Sequence, residues 1–405
     1  MHRLLCACAA LLATPAAAAP WFADATASHL PAKGSVGANS MDVESADLDG
    51  DGDLDLVVPQ EFLLNKVLLN DGRGRFTDAS SSLPALTPAE VQGGPPLPGH
   101  DSEDVSIADF DRDGVLDILI VSEDDIRFGR TPAHEFYRGL GGGRYARVLG
   151  QVPDTEANAV AHADVDRDGD LDLLVVGAGQ DRLLIGDGGG GFRDETDQRL
   201  PREAATGQDG VFADVDGDRD LDIVLGVEGG HFLWINDGAG RFADETAQRL
   251  PVAGFVEARK VEPGDVDGDG DLDLYLSHVG WQGKAPADAL LINDGRGRFT
   301  RAGPDRLPPD AETTLDGRFA DLDGDRDLDL VRANFGSVQI LANDGRGSFR
   351  DVTAEALPAP LNGPAIGVEI ADFDQDGRLD LYIAMRAANS QDAEGYDRLL
   401  LGAPR

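Results

Sequence analysis

The pattern D-x-D-x-D-x-x-x-D occurs seven times in this chain of 405 residues, beginning at Asp47, Asp109, Asp164, Asp214, Asp265, Asp321 and Asp372, with near-even spacing. Seven phased copies of one acidic motif restrict the chain to a repeat architecture in which each copy belongs to one supersecondary unit. Every copy offers side-chain oxygens at its first, third, fifth and ninth positions. These are Asp47, Asp49, Asp51 and Asp55; Asp109, Asp111, Asp113 and Asp117; Asp164, Asp166, Asp168 and Asp172; Asp214, Asp216, Asp218 and Asp222; Asp265, Asp267, Asp269 and Asp273; Asp321, Asp323, Asp325 and Asp329; and Asp372, Asp374, Asp376 and Asp380. The backbone carbonyl of the seventh residue, Asp53 in the first copy, lies between the last two of these. Hard oxygen donors at this density suit Ca²⁺, up to seven ions, and the absence of Cys and His from every ligand position argues against zinc and copper.

Electrostatics points the same way. Four carboxylates roughly 5 Å apart repel by about 0.8 kcal/mol per pair even at the permittivity of water, or about 5 kcal/mol per empty loop. Arg219 and Arg326 stand where the other copies have Gly, at a position where Gly permits a left-handed turn, so these two loops are expected to bind most weakly. The loops are not EF-hands. Those require a bidentate Glu at position twelve, and the twelfth residues here are Val58, Ile120, Val175, Leu225, Leu276, Arg332 and Ile383.

Short runs rich in Val, Ile and Leu follow each ninth Asp, as in Leu56 to Val58 and Leu173 to Val176, and read as buried strands. In phase behind them comes an apolar run, an Asp-Gly turn and an aromatic residue, as in Leu68 to Phe76, Leu233 to Phe242 and Ile340 to Phe349. Asp-Gly between β runs marks a hairpin. A tag then follows, seen as Phe192, Asp194, Thr196, Leu200 and Pro201. Four strands in each repeat predict an all-β fold, a seven-bladed β-propeller of four-stranded antiparallel blades.

The seventh repeat stops at Leu399, Leu400, Leu401 and Gly402, before its aromatic strand. Phe22, Asp24, Thr26, Leu30 and Pro31 reproduce the missing tag at the other end of the sequence. Residues 21 to 31 are therefore expected to complete the last blade, leaving no open sheet edge.

The paired D-x-D-x-D-G-x-x-D loop and N-D-G-x-G-x-F turn resemble the FG-GAP or VCBS repeats of bacterial secreted proteins. Those repeats are similar to the calcium-bearing blades of integrin alpha-subunit propellers. The resemblance covers nearly all of residues 21 to 405 and implies a single calcium-binding propeller domain over residues 20 to 405.

The formal net charge is −40, and the seven loops supply 28 of the 75 acidic residues. Seven Ca²⁺ ions would leave about −26, a balance that argues against nucleic acid and anionic membranes as partners. Residues 1 to 19 read as a secretory signal: Arg3, an apolar run from Leu4 to Ala13, then small residues ending at Ala19. Both cysteines, Cys6 and Cys8, fall within it, so the exported chain would have no disulfide. The expected location is periplasmic or extracellular, where calcium reaches the concentrations that such modules use.

Antiparallel connectivity puts the acidic loops and the Asp-Gly turns on one face of the disc. Loops of variable length occupy the other, the usual place for recognition on a rigid scaffold. There His278, Trp281, Gln282 and Lys284 form the most ligand-like cluster, while Trp234 reads as core. Asp42, Glu44, Asp104, Asp209, Lys260, Glu262, Asp316, Arg318 and Glu369 are expected to line the central channel as salt-bridged groups. The histidines form no catalytic pattern, and no nucleophile or acid-base pair stands out. The favoured function is a secreted calcium-binding module recognising a glycan or protein, with no catalytic residue and a monomeric propeller as its form. A calcium-stabilised polysaccharide lyase using Arg259 and Lys260, and a structural assembly subunit, are the alternatives.

Overall fold

The computed structural model describes residues 19–32, 39–88, 90–92, 98–251, 257–280, 287–309, 313–386 and 396–404. They form seven four-stranded antiparallel sheets, the blades of a β-propeller, numbered here 1 to 7 in chain order. The innermost strands are Glu44–Ala46, Ser102–Ala108, Ala157–Ala163, Gly207–Ala213, Glu257–Gly264, Thr314–Ala320 and Ala365–Ala371. In every blade the second strand begins at the ninth Asp of the motif, as in Asp55–Val58, Asp117–Ser122 and Asp222–Val227. The second strands bury both faces, which is why they read as continuous apolar runs.

Blade 7 closes as expected from the tag at residues 22 to 31. Phe22–Asp24 forms its outer strand, with Phe22 opposite Gly402, Ala23 opposite Leu401 and Asp24 opposite Leu400. The tag itself has a local cause. Asp24 Oδ1 accepts the Thr26 N–H at 2.9 Å, and Thr26 Oγ1 accepts the N–H of Leu399 on the third strand at 3.0 Å. Asp194 with Thr196, and Asp244 with Thr246, repeat this turn in blades 3 and 4.

Among the described residues seven core clusters form a ring, each filled from two adjacent blades, and an eighth, smaller one joins Met41, Val279, Leu315 and Ile366. One joins Val331 and Ile340 of blade 6 to Leu381 and Phe22 of blade 7; the next joins Tyr382 and Leu399 of blade 7 to Leu56 and Leu68 of blade 1. Trp234 is fully buried between blades 3 and 4, as its place inside a strand implied. Burying an apolar side chain of Leu or Ile size stabilises by about 1.5–3 kcal/mol, and no blade can do so alone.

Six innermost strands carry a β-bulge, at Glu103, Asn158, Gln208, Arg259, Leu315 and Ile366. A bulge re-aims its extra residue. All six, with Met41 of blade 1, converge on the neck of the central channel.

Candidate metal centres and the opposite face

Each acidic loop folds on its own carboxylates. The first Asp accepts the backbone N–H of the sixth residue in all seven copies, from Gly52 to Asp47 at 3.1 Å through Gly377 to Asp372 at 2.9 Å. The fifth-position Asp accepts the N–H two residues on in every copy, as Asp51 does from Asp53, and the third-position Asp does so in loops 1, 2, 6 and 7, as Asp49 does from Asp51. Two left-handed residues, at positions four and six, make this possible. Arg219 (φ 75°) and Arg326 (φ 81°) keep the turn that Gly makes elsewhere, and Arg112, Arg167 and Gln375 are left-handed at position four. Loops 1 and 5 keep Gly at both positions and the other five keep one, so the Arg219 and Arg326 loops share their backbone strain with those of Arg112, Arg167 and Gln375.

The ninth Asp is the structural centre of each loop. Both oxygens of Asp222 accept backbone N–H groups, Oδ2 from Val215 at 3.3 Å and Oδ1 from Asn236 at 2.9 Å. The same pair of bonds recurs at Asp55, Asp117, Asp172, Asp273, Asp329 and Asp380. Burial raises these carboxyls to about 6, and Asp222 and Asp329 to about 7, against the pull of those bonds.

Sequence reasoning missed the arginines that hold the third Asp. Arg138 pairs with Asp111 Oδ2 at 2.9 Å, Arg199 with Asp166 Oδ2 at 3.0 Å and Arg249 with Asp216 Oδ2 at 3.2 Å. The other oxygen of Asp166 and of Asp216 is buried without a hydrogen-bond partner, as are Oδ1 of Asp164 and of Asp267. A carboxylate pinned by one oxygen, with the second unsatisfied and close to further carboxylates, is a donor set that fits a hard cation. Oxygens of Asp47, Asp49 and Asp55 lie within 4.8 Å of one another, and those of Asp164, Asp166 and Asp172 and of Asp214, Asp216 and Asp218 do likewise. Burial, followed by the next carboxylate of the loop, holds Asp49, Asp216 and Asp267 above the ordinary aspartate range.

The hairpin turns seal the loops. A Cβ on Gly238 would come 2.5 Å from the seventh-position Asp220, and one on Gly240 would come 3.1 Å from Asp166 of the preceding blade. Only Gly fits so close an approach. Asn236 also reaches back, donating from Nδ2 to the carbonyl of Val165 at 2.9 Å, and Asn70, Asn293 and Asn343 repeat that bond between other blades.

Five of the nine expected channel groups form ion pairs, whereas Asp42, Glu44, Asp104 and Glu369 form none among the described residues, and Glu44 Oε2 is buried without a hydrogen-bond partner. Lys260 meets Asp209 at 3.6 Å, Arg318 meets Asp316 at 3.6 Å and Glu262 at 3.7 Å, and Ser45 donates to Glu369. Asp42, Glu44, Asp104, Asp209, Lys260, Arg318 and Glu369 line a cavity of about 440 Å³. Arg259 is turned to Glu103 (3.6 Å) and Gln208. Ser106 Oγ lies 2.7 Å from His162 Nδ1, but no carboxylate among the described residues bonds the other ring nitrogen.

Of the four recognition residues expected on the opposite face, His278 is buried at 2 % exposure, with Nδ1 2.8 Å from the Ala287 carbonyl oxygen. Trp281, Gln282 and Lys284 lie outside the described residues. That face does expose apolar groups. Leu64, Ile126, Phe128, Leu149 and Phe335 all lie in its loops, and of the large exposed apolar side chains described only Leu140 lies on the acidic-loop face. The rings of Phe62 and Phe128 stand 6.1 Å apart there. A cavity of about 440 Å³ lies between blades 1 and 2, lined by Leu63, Leu64, Lys66, Leu83, Glu135 and Tyr137 among others.

A model of the FG-GAP-like repeat matches residues 164–225, 214–276 and 321–383. No curated protein matches the chain. Among solved structures, a lectin of Agrocybe aegerita, described as recognising non-reducing terminal N-acetylglucosamine, is 19 % identical with a TM-score of 0.50. It covers 79 % of this chain and 82 % of its own. The BBS1N protein, solved in complex with ARL6DN, is 12 % identical with a TM-score of 0.56, covering 96 % of this chain and 98 % of its own. At these identities the likeness is one of fold.

Proposed function

This chain is an FG-GAP-repeat β-propeller, and on that premise we propose that it is a secreted, calcium-stabilised recognition module whose non-catalytic binding face, turned away from the acidic loops, takes a glycan. The observation that carries this reading is the division of labour between the two faces. One presents seven loops whose carboxylates accept backbone N–H groups, three of them also held by an arginine of their own blade; the other gathers five of the six exposed large apolar side chains named above. Exposed apolar groups beside polar ones are what a sugar ring needs, since its C–H face packs on apolar surface while its hydroxyls take hydrogen bonds. The fold's likeness to a lectin supports the same reading.

In each loop the first, third, fifth and ninth Asp would hold the ion. Bound Ca²⁺ supplies the positive charge that four neighbouring carboxylates lack and ties the loop to its blade. The leader at residues 1 to 19 supports export.

The test is retention of the calcium-loaded protein on a panel of neutral and acidic polysaccharides, with Leu64→Ala and Phe128→Ala alongside. Retention that falls at least tenfold in either variant, without a change in melting temperature, supports the reading. Retention unaffected by both places the binding surface elsewhere. Unsaturated products absorbing in the ultraviolet would replace a binding role by lyase chemistry.

A further inference from the structure

Asp101, Glu123 and Asp124 lie outside the repeat loops, on the face opposite them, at the edge of blade 2. Asp101 immediately precedes the innermost strand, and the other two follow the second strand directly. One carboxylate oxygen from each lies within 4.8 Å of the others. Asp101 is only 4 % exposed, and its Oδ1 is buried with no hydrogen-bond partner. A buried, unsatisfied carboxylate oxygen costs about 1–3 kcal/mol or more, so its persistence calls for a partner.

Among the described residues no cation pairs with Asp101 or Glu123, and Asp124 gives one oxygen, Oδ1, to Arg127. Arg259 reaches Glu103, Arg386 reaches Glu61, and Arg127 spans Asp124 and Glu156. Beyond burial, the strongest influences on Asp101 are four further carboxylates, Glu61, Asp125, Asp124 and Glu123. Glu123 and Asp124 are half-buried, so the cluster opens to solvent on one side.

We propose that Asp101, Glu123 and Asp124 form a divalent-cation site separate from the seven repeat loops, selective for a hard ion of the Ca²⁺ class. All three donors are carboxylate oxygens, with neither sulfur nor imidazole in the set, which disfavours zinc and copper. The backbone provides the frame. Asp101 donates its N–H to Asp125 Oδ2 at 2.6 Å, and Glu123 donates its N–H to the Asp101 carbonyl at 3.1 Å, so two strand ends are fixed against each other. The site adjoins the Phe62 and Phe128 rings in sequence and space: Phe62 donates its N–H to the His100 carbonyl, and Phe128 donates to that of Asp124.

Manganese serves as the probe. Crystals of the full propeller grown with Mn²⁺ should show an anomalous peak among Asp101, Glu123 and Asp124, in addition to any in the repeat loops. Metal content after equilibrium dialysis against calcium should fall by one equivalent in Glu123→Gln and in Asp101→Asn, and stay unchanged in Glu156→Gln. The half-buried Glu123 guards against a folding defect at Asp101. In excess chelator both site variants should melt no lower than the parent, because each removes a repelling charge. Peaks in the repeat loops with none at Asp101, or equal metal content in Glu123→Gln and the parent, overturn the proposal.

Discussion

Gln375 of the last blade donates its side-chain amide to Asp53 of the first, Nε2 to Oδ1 at 2.6 Å, and to the Gly52 carbonyl at 3.2 Å. Position four of one loop thus reaches position seven of the next. Arg112 pairs with Asp170, and Arg167 with Asp220, in the same way. In these three loops a non-Gly residue occupies a left-handed position, at about 1–2 kcal/mol per residue, and its side chain links two blades. Gln375→Ala should lose the link and keep the strain, lowering stability by about 1 kcal/mol. Gln375→Gly loses both and should fall within about 0.5 kcal/mol of the parent. Urea midpoints that rank Gly below Ala would show that position four carries no left-handed strain for Gly to relieve.

Removal of residues 21 to 31 leaves the strand of blade 7 at Arg398–Gly402 with an open edge and empties the pocket filled by Phe22. The expected result is aggregation or loss of the cooperative melt, because an unpaired strand invites pairing with another chain. Light scattering and calorimetry check this, and a monomeric protein with the parent melting temperature would remove the closing strand from the account of stability.

Fold was legible because each strand boundary is tied to a residue type. The ninth Asp opens every second strand, and the Asp-x-Thr tag fixes the turn after the outer one, so Phe22 to Pro31 could be assigned across nearly the whole chain. The acidic loops were legible as donor sets, but the arginines that hold them were not. Arg199 stands beyond the outer strand of its blade, far along the chain from Asp166, and nothing in local spacing links them. Nor does sequence distinguish the roles of Asp216 and Asp222, which share a motif. One has a buried oxygen without a partner, and the other has both oxygens bound to backbone. Bulges are equally silent, since Glu103 and Ile366 have no common chemistry.

That difference within one loop gives a direct test of calcium dependence. Chelation should lower the melting temperature of the parent, since a single site at one hundred times its dissociation constant contributes about 2.7 kcal/mol. Asp216→Asn should lose part of this calcium-dependent gain while melting near the parent in chelator, its Arg249 contact apart. Asp222→Asn puts an amide donor against a backbone N–H, so it should lose about 1–3 kcal/mol with or without calcium. Melts of the three proteins, each with calcium and with chelator, separate the roles; superimposable parent curves would contradict metal stabilisation.

His134 supplies a pH dependence of its own. It is 4 % exposed, its Nδ1 accepts the Ser122 N–H at 3.2 Å and its Nε2 lies 3.1 Å from Thr155 Oγ1. Burial, then the neighbouring His100, lowers its pKa to about 4. The unfolded chain takes up that proton near pH 6.5, so the folded state favours the neutral ring. Its contribution to stability is complete above about pH 6.5 and is lost as pH falls toward 4. A shift of this size corresponds to about 3 kcal/mol over the window, of which about 2 kcal/mol is gone by pH 5. In blade 1 the same turn is made by Asn65, whose Oδ1 accepts the Gln60 N–H at 2.9 Å. His134→Asn should therefore keep the turn and remove this part of the acid sensitivity. The loss of stability between pH 7.5 and 5, measured by urea midpoint, should be smaller in the variant by about 2 kcal/mol. Because the buried carboxylates act alike in both proteins, the difference isolates the histidine, and equal losses would mean that His134 takes up its proton in the folded state as readily as in the unfolded chain.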